Sequence, residues 1–192
     1  LLIPNALAAE QTLDLKPSLF QNVTTLEISA PPEKVWKHIV GFTEIPDPTE
    51  LLFRLGIAYP IRAQLDGRGV GALRHCIFST GEFLEPIEVW DEPRQLKFSV
   101  ISQPAPMQEW TPYRNIHPAH LDSYLRSNGG QFLLTPLAGG KTRVEATTWY
   151  WHDIWPASYW HVWSDYIIHK IHLRVLRHIK NEVEKDKFEQ NT

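Results

Sequence analysis

The sequence is poor in cysteine, since its 192 residues include only Cys76. A single thiol cannot close an internal disulfide or supply a cysteine-rich zinc site. Positive charge is not in excess either, because the formal net charge is -3 and the pI is about 6.3. Binding to nucleic-acid phosphates needs a basic face. These shortages exclude a disulfide scaffold and argue against a general nucleic-acid-binding protein.

Long apolar runs and familiar catalytic motifs are also missing. No run approaches the length of about eighteen apolar residues that predicts a membrane-spanning helix. The chain has no glycine-rich phosphate loop, no nucleotide-binding fingerprint and no nucleophile motif. We therefore expect no bound cofactor, and no motif by itself identifies an enzyme.

The first residues leave two interpretations open. "LLIPNALAAE" resembles the end of a secretory signal with an A-x-A site, and it is equally compatible with part of a longer, membrane-attached protein. The single cysteine fits a reducing compartment. We favour a cytoplasmic location, with membrane association as the alternative.

The order of predicted elements indicates an α+β fold. Residues 1–22 show no clean period and are predicted to be an extension of a domain that spans 23–187. Helix patterns lie near 30–42, 50–55 and 157–187. Strand patterns lie near 23–29, 60–66, 71–79, 82–90, 95–102, 130–137 and 142–151. Hairpin turns between consecutive strands predict an antiparallel sheet with the helices on one face.

Several segments carry a resemblance to a known superfamily. They are "ISAPPEKVWKHI", "GVGALRHCIFSTGEFLEPIEVWDEPRQLKFSV" and "FLLTPLAGGKTRVEATTWY". With the long C-terminal helix they resemble the START-like (SRPBCC) superfamily, in particular its polyketide cyclase/dehydrase and lipid-transport branch, over residues 22–185. The resemblance implies a helix-grip fold, in which a curved antiparallel sheet of about seven strands wraps around the long helix. It also implies a deep apolar cavity for lipids, hormones, polyketides or aromatic compounds, in a superfamily that includes enzymes.

Strand alternation predicts which side chains line that cavity. A turn centred on Thr80-Gly81 pairs position 76 with 85 and position 74 with 87. The more apolar face then carries Phe83 and Ile87, and Phe98 on the next strand points the same way.

The same face carries two charged residues, Arg74 and Glu85, diagonally across the hairpin. An ion pair on an apolar wall costs desolvation free energy and persists only when it is well satisfied. We leave two interpretations open, an anchor for the polar head of a ligand and a structural bridge.

The long helix begins with a polar stripe, "HVWSDYIIHKIH". At about 100° per residue, His161, Asp165, His169 and His172 fall on the packed side of this helix. Unpaired buried polar groups cost roughly 2–7 kcal/mol each, so these side chains need partners. The favoured interpretation is the polar end of a ligand cavity. The alternatives are a structural network such as Asp165–His169 and a metal site; we predict no metal.

An insertion at about 103–128 interrupts the strand pattern. Its bulky and polar residues include Tyr113, His117 and His120, and the insertion is predicted to be a lid or wall of the cavity. The alternative is a surface loop packed on the rim of the sheet.

The helical wheel places a third group of residues on the solvent side. It includes Tyr159, Trp160, Trp163, Tyr166, Ile167 and, further along, Arg174. The favoured explanation of this aromatic band is cover by another part of the chain. A membrane-surface contact through Tyr159, Trp160 and Trp163, or a dimer contact, are the alternatives.

These expectations combine into one leading function. The chain is predicted to bind a hydrophobic small molecule or lipid with a polar head, met by Arg74 and the histidine stripe. One alternative is a cyclase, dehydratase or hydrolase that uses cavity histidines for proton transfer. The other is a regulatory domain of a larger membrane-associated protein.

Overall fold

The computed structural model describes residue 5 and residues 19–108 and 124–189. The strands of this part of the chain are β1 (Phe20–Ile28), β2 (Pro60–Asp66), β3 (Leu73–Phe78), β4 (Gly81–Asp91), β5 (Gln95–Ser99), β6 (Leu125–Leu137) and β7 (Lys141–His152). The helices of the same part are α1 (Pro32–Val40), α2 (Leu51–Arg54) and α3 (Ala157–Glu189). The strands form one antiparallel sheet in the order β1-β7-β6-β5-β4-β3-β2.

The sheet curls around α3. Strands β1 and β2 stand at opposite edges of the sheet, and α3 contacts both of them. A flat sheet of this width could not reach one helix from both edges, so the right-handed twist and coil of the strands must bring the edges round. The architecture is therefore the predicted helix-grip arrangement.

The C-terminal half of α3 closes a solid core against α1. Pro32 starts α1 and Gly41 ends it, and the buried face between them carries Val35, Trp36 and Ile39. These side chains belong to one apolar cluster with the helix residues Leu176, Ile179 and Val183. Tight packing here fixes the position of the helix relative to the sheet.

Two strands begin earlier than the sequence pattern predicts. Strand β1 begins at Phe20 instead of Val23, because the Phe20 ring stacks on His161 at 4.1 Å and lies 5.5 Å from Tyr150. Strand β6 begins at Leu125 instead of Gly130, because it pairs with β7 as far as His152. Tertiary pairing thus extends strands whose first residues lack strand-like alternation.

The bend of β6 depends on a pair of glycines. The register slips between Ser127 and Gly129, which marks a bulge. A Cβ atom on Gly129 would lie 2.6 Å from the carbonyl oxygen of Phe98. A Cβ atom on Gly130 would lie 2.8 Å from the ring of Phe98. Only glycine permits this close approach, which lets the Phe98 ring cross the inner face of the sheet.

The β3–β4 hairpin has a different register from the one predicted. Phe78 pairs with Gly81 and Cys76 with Phe83, so the turn is centred on Ser79-Thr80, one residue earlier than predicted, and every cross-strand partner shifts by two residues. A shift of two residues preserves which side chains share a face, since the side-chain period is two. It moves Arg74 from a diagonal position to one directly opposite Glu85.

Candidate functional site

A cavity of about 810 Å³ lies between the concave face of the sheet and the N-terminal half of α3. The apolar side chains of α3 that close the core begin at Val175, in the C-terminal half of the helix. The N-terminal half crosses the sheet without filling the space between helix and sheet, and that space is the cavity. The apolar lining includes Phe42, Phe78, Phe83, Phe98, Phe132, Ile168, Ile171 and Val175.

The loop after β5 forms part of the cavity wall. Residues 103–107 line the cavity, as do Tyr124 and Leu125 at the start of β6. Gln103 fixes the two segments together, because its Nε2 donates to Leu125 O at 2.7 Å and its Oε1 accepts from Ser127 N at 2.8 Å. Tyr113, His117 and His120 of the predicted lid lie outside the described residues.

Helix α3 presents an aromatic and aliphatic stripe to the cavity, and this stripe includes part of the band that was predicted to face solvent. Trp160, Trp163 and Ile167 line the cavity, with the two tryptophans 38% and 48% exposed at its mouth. Their helical spacing with Ile171 and Val175 is the signal that sequence reasoning missed. Tyr159 is half-buried, and Tyr166 is exposed.

Arg174 was also predicted to face solvent, and it is buried instead. Its Nε donates to Pro60 O at 3.1 Å and its Nη2 to Pro46 O at 2.7 Å, and its guanidinium lies 5.1 Å from the centre of the Tyr59 ring. Backbone carbonyls and an aromatic face thus satisfy the cation, which ties the segment before β2 to the helix.

Arg74 and Glu85 form a buried ion pair in the cavity wall. The guanidinium Nη1 donates to Glu85 Oε2, and Nε donates to Val40 O at 3.3 Å. The rings of Phe42, Phe98 and Phe132 surround the guanidinium at 5.3–5.8 Å from their centres. Because both charges are paired and enclosed, the pair stiffens the wall and presents little net charge to the cavity.

Burial controls protonation around this ion pair. It raises the pKa of Glu85, and the adjacent Arg74 guanidinium opposes that rise. Burial also raises the pKa of the Cys76 thiol to about 12, helped by the negative charge of Glu85. Cys76 is therefore an uncharged apolar wall residue at neutral pH, without the thiolate that nucleophilic chemistry needs.

His172 is the member of the predicted histidine stripe that lines the cavity. Its Nε2 lies 2.8 Å from Thr148 Oγ1, and its Nδ1 lies 3.1 Å from Thr24 Oγ1. Thr24 Oγ1 also lies 2.8 Å from His169 Nδ1. Burial, and then the charge of nearby His169, lower the pKa of His172 from 6.5 to about 4, so its ring is neutral at neutral pH.

The remaining polar residues of the stripe pack against the edge of the sheet. Asp165 accepts from Tyr150 OH at 2.9 Å and from Asn22 Nδ2 at 3.2 Å. His161 Nδ1 lies 3.0 Å from the same Tyr150 oxygen. Burial and the Asp165 carboxylate raise the pKa of Tyr150, so the phenol keeps its proton and donates a hydrogen bond to the carboxylate.

The predicted ligand-contacting residues that the structure describes therefore divide into two groups. Those that line the cavity are Arg74, Glu85, Phe83, Phe98 and His172. Those that are described and do not line it are Ile87, which lies in the solid core, and His161, Asp165 and His169, which pack on β1 and β7. Their predicted place in the cavity was wrong, because α3 is rotated so that its Trp160–Ile171 stripe faces inward.

The described residues contain neither a candidate metal site nor a candidate membrane-spanning helix. No group of three histidine, cysteine or carboxylate side chains there is arranged to hold a metal ion. Among the same residues, no helix is both long enough and apolar enough to cross a bilayer.

Comparison with solved structures finds the same architecture in other proteins. A norcoclaurine synthase from Thalictrum flavum, in complex with a transition-state analogue, has a TM-score of 0.57 and 15% identity over 90% of this chain and 99% of that one. XoxI from Bacillus cereus has a TM-score of 0.55 and 17% identity over 87% and 97%. A protein from Nitrosospira multiformis has a TM-score of 0.52 and 18% identity over 85% and 96%.

The chain has a helix-grip fold. At identities this low, the similarity shows the fold alone. No protein-family model matches the sequence, and no curated protein matches it.

Replacement of one member of the buried ion pair is expected to destabilise the fold. Arg74→Met leaves the Glu85 carboxylate buried without its partner, at a cost of about 3–5 kcal/mol in the free energy of unfolding at pH 7. The double variant Arg74→Met/Glu85→Leu removes both charges and recovers at least half of that loss. Urea denaturation of both variants measures the difference, and a double variant no more stable than the single one contradicts the assignment.

The loss in the free energy of unfolding caused by Arg74→Met is also expected to depend on pH. Without Arg74, the pKa of Glu85 rises further above its value in the unfolded chain. The folded state then binds more protons than the unfolded state, so stability falls as pH rises through the folded pKa. Denaturation at pH 5 should therefore show a smaller deficit than at pH 7, and an equal deficit would contradict the burial of an unpaired carboxylate.

His172 is expected to make the protein sensitive to acid. Because its folded pKa is about 4 against an ordinary 6.5, the folded state binds fewer protons than the unfolded state between these values. Stability should therefore fall by roughly 3 kcal/mol as the pH drops from 6.5 to 4. His172→Gln should lose much of this slope in pH-dependent urea denaturation, whereas His75→Gln, on the outer face of β3, should keep it.

Proposed function

We propose that this protein binds a largely apolar small molecule or lipid, with one polar group, in the cavity between the sheet and α3. The observation that carries the proposal is the cavity volume of about 810 Å³, with its mainly aromatic and aliphatic walls. Ligand pockets commonly enclose about 300–1,000 Å³ and combine apolar walls with a few polar groups. A norcoclaurine synthase of the same fold has been solved with dopamine and hydroxybenzaldehyde, which supports a small-molecule ligand here.

The polar group of the ligand is proposed to be uncharged. Glu85 already neutralises Arg74, and three aromatic rings cover the guanidinium. An anionic head at this wall would meet the Glu85 carboxylate as well as Arg74. A hydroxyl or carbonyl group avoids that repulsion and can still bond to the ion pair or to the Thr148–His172 pair on the opposite side.

One observation favours a catalytic alternative. The neutral ring of His172 lies in the cavity wall, and a neutral imidazole can take up a proton from a bound substrate. A cyclase, dehydratase or hydrolase activity would use this ring. Mass spectrometry of the compound extracted from the purified protein, before and after incubation with fresh protein, separates the two functions, because a carrier returns its ligand unchanged.

Filling the cavity is expected to abolish binding. Ile168 lines the cavity from α3, so Ile168→Trp places an indole in the ligand volume. The affinity for the apolar probe 6-propionyl-2-dimethylaminonaphthalene should fall by about tenfold or more, which corresponds to 1.4 kcal/mol. Fluorescence titration measures the dissociation constant, and thermal unfolding confirms that the variant is folded.

A second variant on the same helix provides the matched control. Val162 is 67% exposed and does not line the cavity, so Val162→Trp makes a comparable change outside it. This variant should bind the probe as the wild type does. Equal binding by Ile168→Trp and the wild type would contradict binding in this cavity.

We further propose that the cavity mouth contacts a membrane surface when the ligand is a lipid. Trp155, Trp160 and Trp163 are 39%, 38% and 48% exposed at the mouth, and indole rings favour the interface between lipid and water. Tyr159, the third member of the predicted contact, is half-buried and contributes less.

Vesicle binding tests this contact. Trp163→Ala should reduce co-sedimentation with phosphatidylcholine vesicles about fivefold, because the lost ring buries apolar surface in the bilayer interface. Val162→Ala, one residue earlier and outside the mouth, should leave it unchanged. Absence of wild-type co-sedimentation, or equal losses in both variants, would rule the contact out.

A further inference from the structure

Four side chains form a continuous hydrogen-bonded chain from the cavity to the outer side of the β1–α3 contact. It runs from Thr148 to His172 at 2.8 Å, from His172 to Thr24 at 3.1 Å, and from Thr24 to His169 at 2.8 Å. Thr148 and His172 line the cavity, whereas His169 does not line it and is only partly buried. A path thus connects a hydroxyl inside the cavity to a titratable ring outside it.

When the hydroxyl hydrogen of Thr24 goes to one of the two histidine rings, hydrogen counting leaves two directions for the donors along this chain. A neutral His172 carries one ring hydrogen, and each threonine carries one hydroxyl hydrogen. If the hydrogen of His172 is on Nε2, the ring donates to Thr148, accepts from Thr24, and Thr24 accepts from His169. If it is on Nδ1, each of these bonds reverses, and Thr148 donates to His172.

The two polarities present different groups to the cavity. In the first, Thr148 accepts from His172 and keeps its own hydroxyl hydrogen for a ligand. In the second, that hydrogen is committed to His172, and only an oxygen lone pair faces the ligand. The same threonine is therefore a donor in one state and an acceptor in the other.

Protonation of His169 selects the first polarity. A cationic imidazole carries hydrogens on both nitrogens, so its Nδ1 must donate to Thr24. Asn22 Oδ1 is a competing acceptor for the Thr24 hydrogen, but it lies 3.5 Å away, at the limit of a hydrogen bond, against 3.1 Å for His172 Nδ1. Thr24 therefore donates to His172, and the hydrogen of His172 moves to Nε2.

The groups that the helix and the neighbouring strands place near His169 include Asp165, His172 and several uncharged side chains. From its own helix, Asp165 lies one turn earlier on the same side and His172 follows three residues later. From β1, Asn22 and Thr24 face the helix, and β7 adds Tyr150 and Thr148, all four being uncharged.

This polar group is separate from the Arg74–Glu85 ion pair. Strands β6, β5 and β4 stand between β7, which carries Thr148, and β3, which carries Arg74. Four strand spacings of about 4.8 Å give roughly 19 Å along the sheet. A ligand whose polar group is held by Thr148 therefore lies with that group at the β7 side of the cavity.

We propose that Thr148 contacts the polar group of the ligand and that protonation of His169 sets it as a hydrogen-bond donor, which makes the protein select an uncharged carbonyl compound at low pH. The proposal rests on the ligand-binding function proposed above and names the part of the cavity that recognises the polar group.

The chain is tested first without any ligand. Histidine ring ¹⁵N shifts distinguish the two neutral tautomers and the cation. On acidification from pH 8 to pH 5, His172 should stay neutral, and its Nε2–H tautomer should increase when the His169 ring carries hydrogens on both nitrogens. His169→Gln and Thr24→Val should each remove this pH dependence. Thr25→Val, at the next and exposed position of β1, should preserve it.

Two outcomes of this measurement overturn the coupling. One is a His172 tautomer ratio in the wild type that does not change over this range. The other is a ratio that still changes with pH in the His169→Gln variant, once thermal unfolding has shown that this variant is folded. Either result removes His169 as the control of Thr148, whether or not the cavity binds a ligand.

The contact with the ligand is tested with two probes. The carbonyl probe 6-propionyl-2-dimethylaminonaphthalene should bind about threefold or more tightly at pH 5.5 than at pH 7.5 and should show the emission red shift of a hydrogen-bonded carbonyl. Thr148→Val should lose both effects, and Thr25→Val should keep them. The phenol 2-naphthol, which offers a donor, should gain no affinity at the lower pH.

The probe results separate the two proposals. Binding of both probes with no pH dependence, or with a pH dependence that survives Thr148→Val, overturns the role of Thr148 and leaves the cavity function standing. If neither probe binds the wild type at any pH, ligand binding is overturned and, with it, the contact by Thr148. The ring nitrogen shifts still report whether the chain of hydrogen bonds responds to His169.

Discussion

The long helix α3 buries one side, and the rest of the structure depends on how that side packs. The side chains pack tightly along the C-terminal half and line a cavity along the N-terminal half. Its C-terminal half carries Leu176, Ile179 and Val183, which pack tightly against α1 and the sheet. Its N-terminal half presents larger side chains that line a space without filling it. Core packing therefore anchors the helix at one end, and the cavity exists at the other because nothing there replaces that packing.

The same constraint explains where the polar groups lie. Desolvated polar atoms must be paired, and around the cavity the curved sheet and the helix hold them in two separate clusters. Arg74 and Glu85 neutralise each other among aromatic rings. The histidine and carboxylate groups of α3 find threonine, asparagine and tyrosine partners on β1 and β7. The apolar space between the clusters is what the structure leaves for a ligand.

The fold was predictable because its signals are local and repeated. Alternation, hairpin turns and the apolar C-terminal half of α3 gave the element order, and the resemblance gave the way they assemble. The face shared by Arg74, Glu85, Phe83 and Phe98 was also predictable, since an error of two residues in the register of the hairpin does not change the face of any side chain. Ile87 shares that face and still lies in the solid core. Strand alternation predicts the face of a side chain, and it does not predict whether the cavity or the packed core lies beneath that part of the sheet.

The composition and periodicity of the sequence determined the antiparallel sheet, the long terminal helix and the presence of polar residues on its packed side. The tertiary structure decided the rotation of that helix, which turned Trp160 and Trp163 toward the cavity and His161, Asp165 and His169 toward the edge of the sheet. A helical wheel has no external reference, so it gives the angles between side chains and not the direction that each one faces. That direction comes from contacts with strands more than one hundred residues away in sequence, such as the bond of Thr24 to His169.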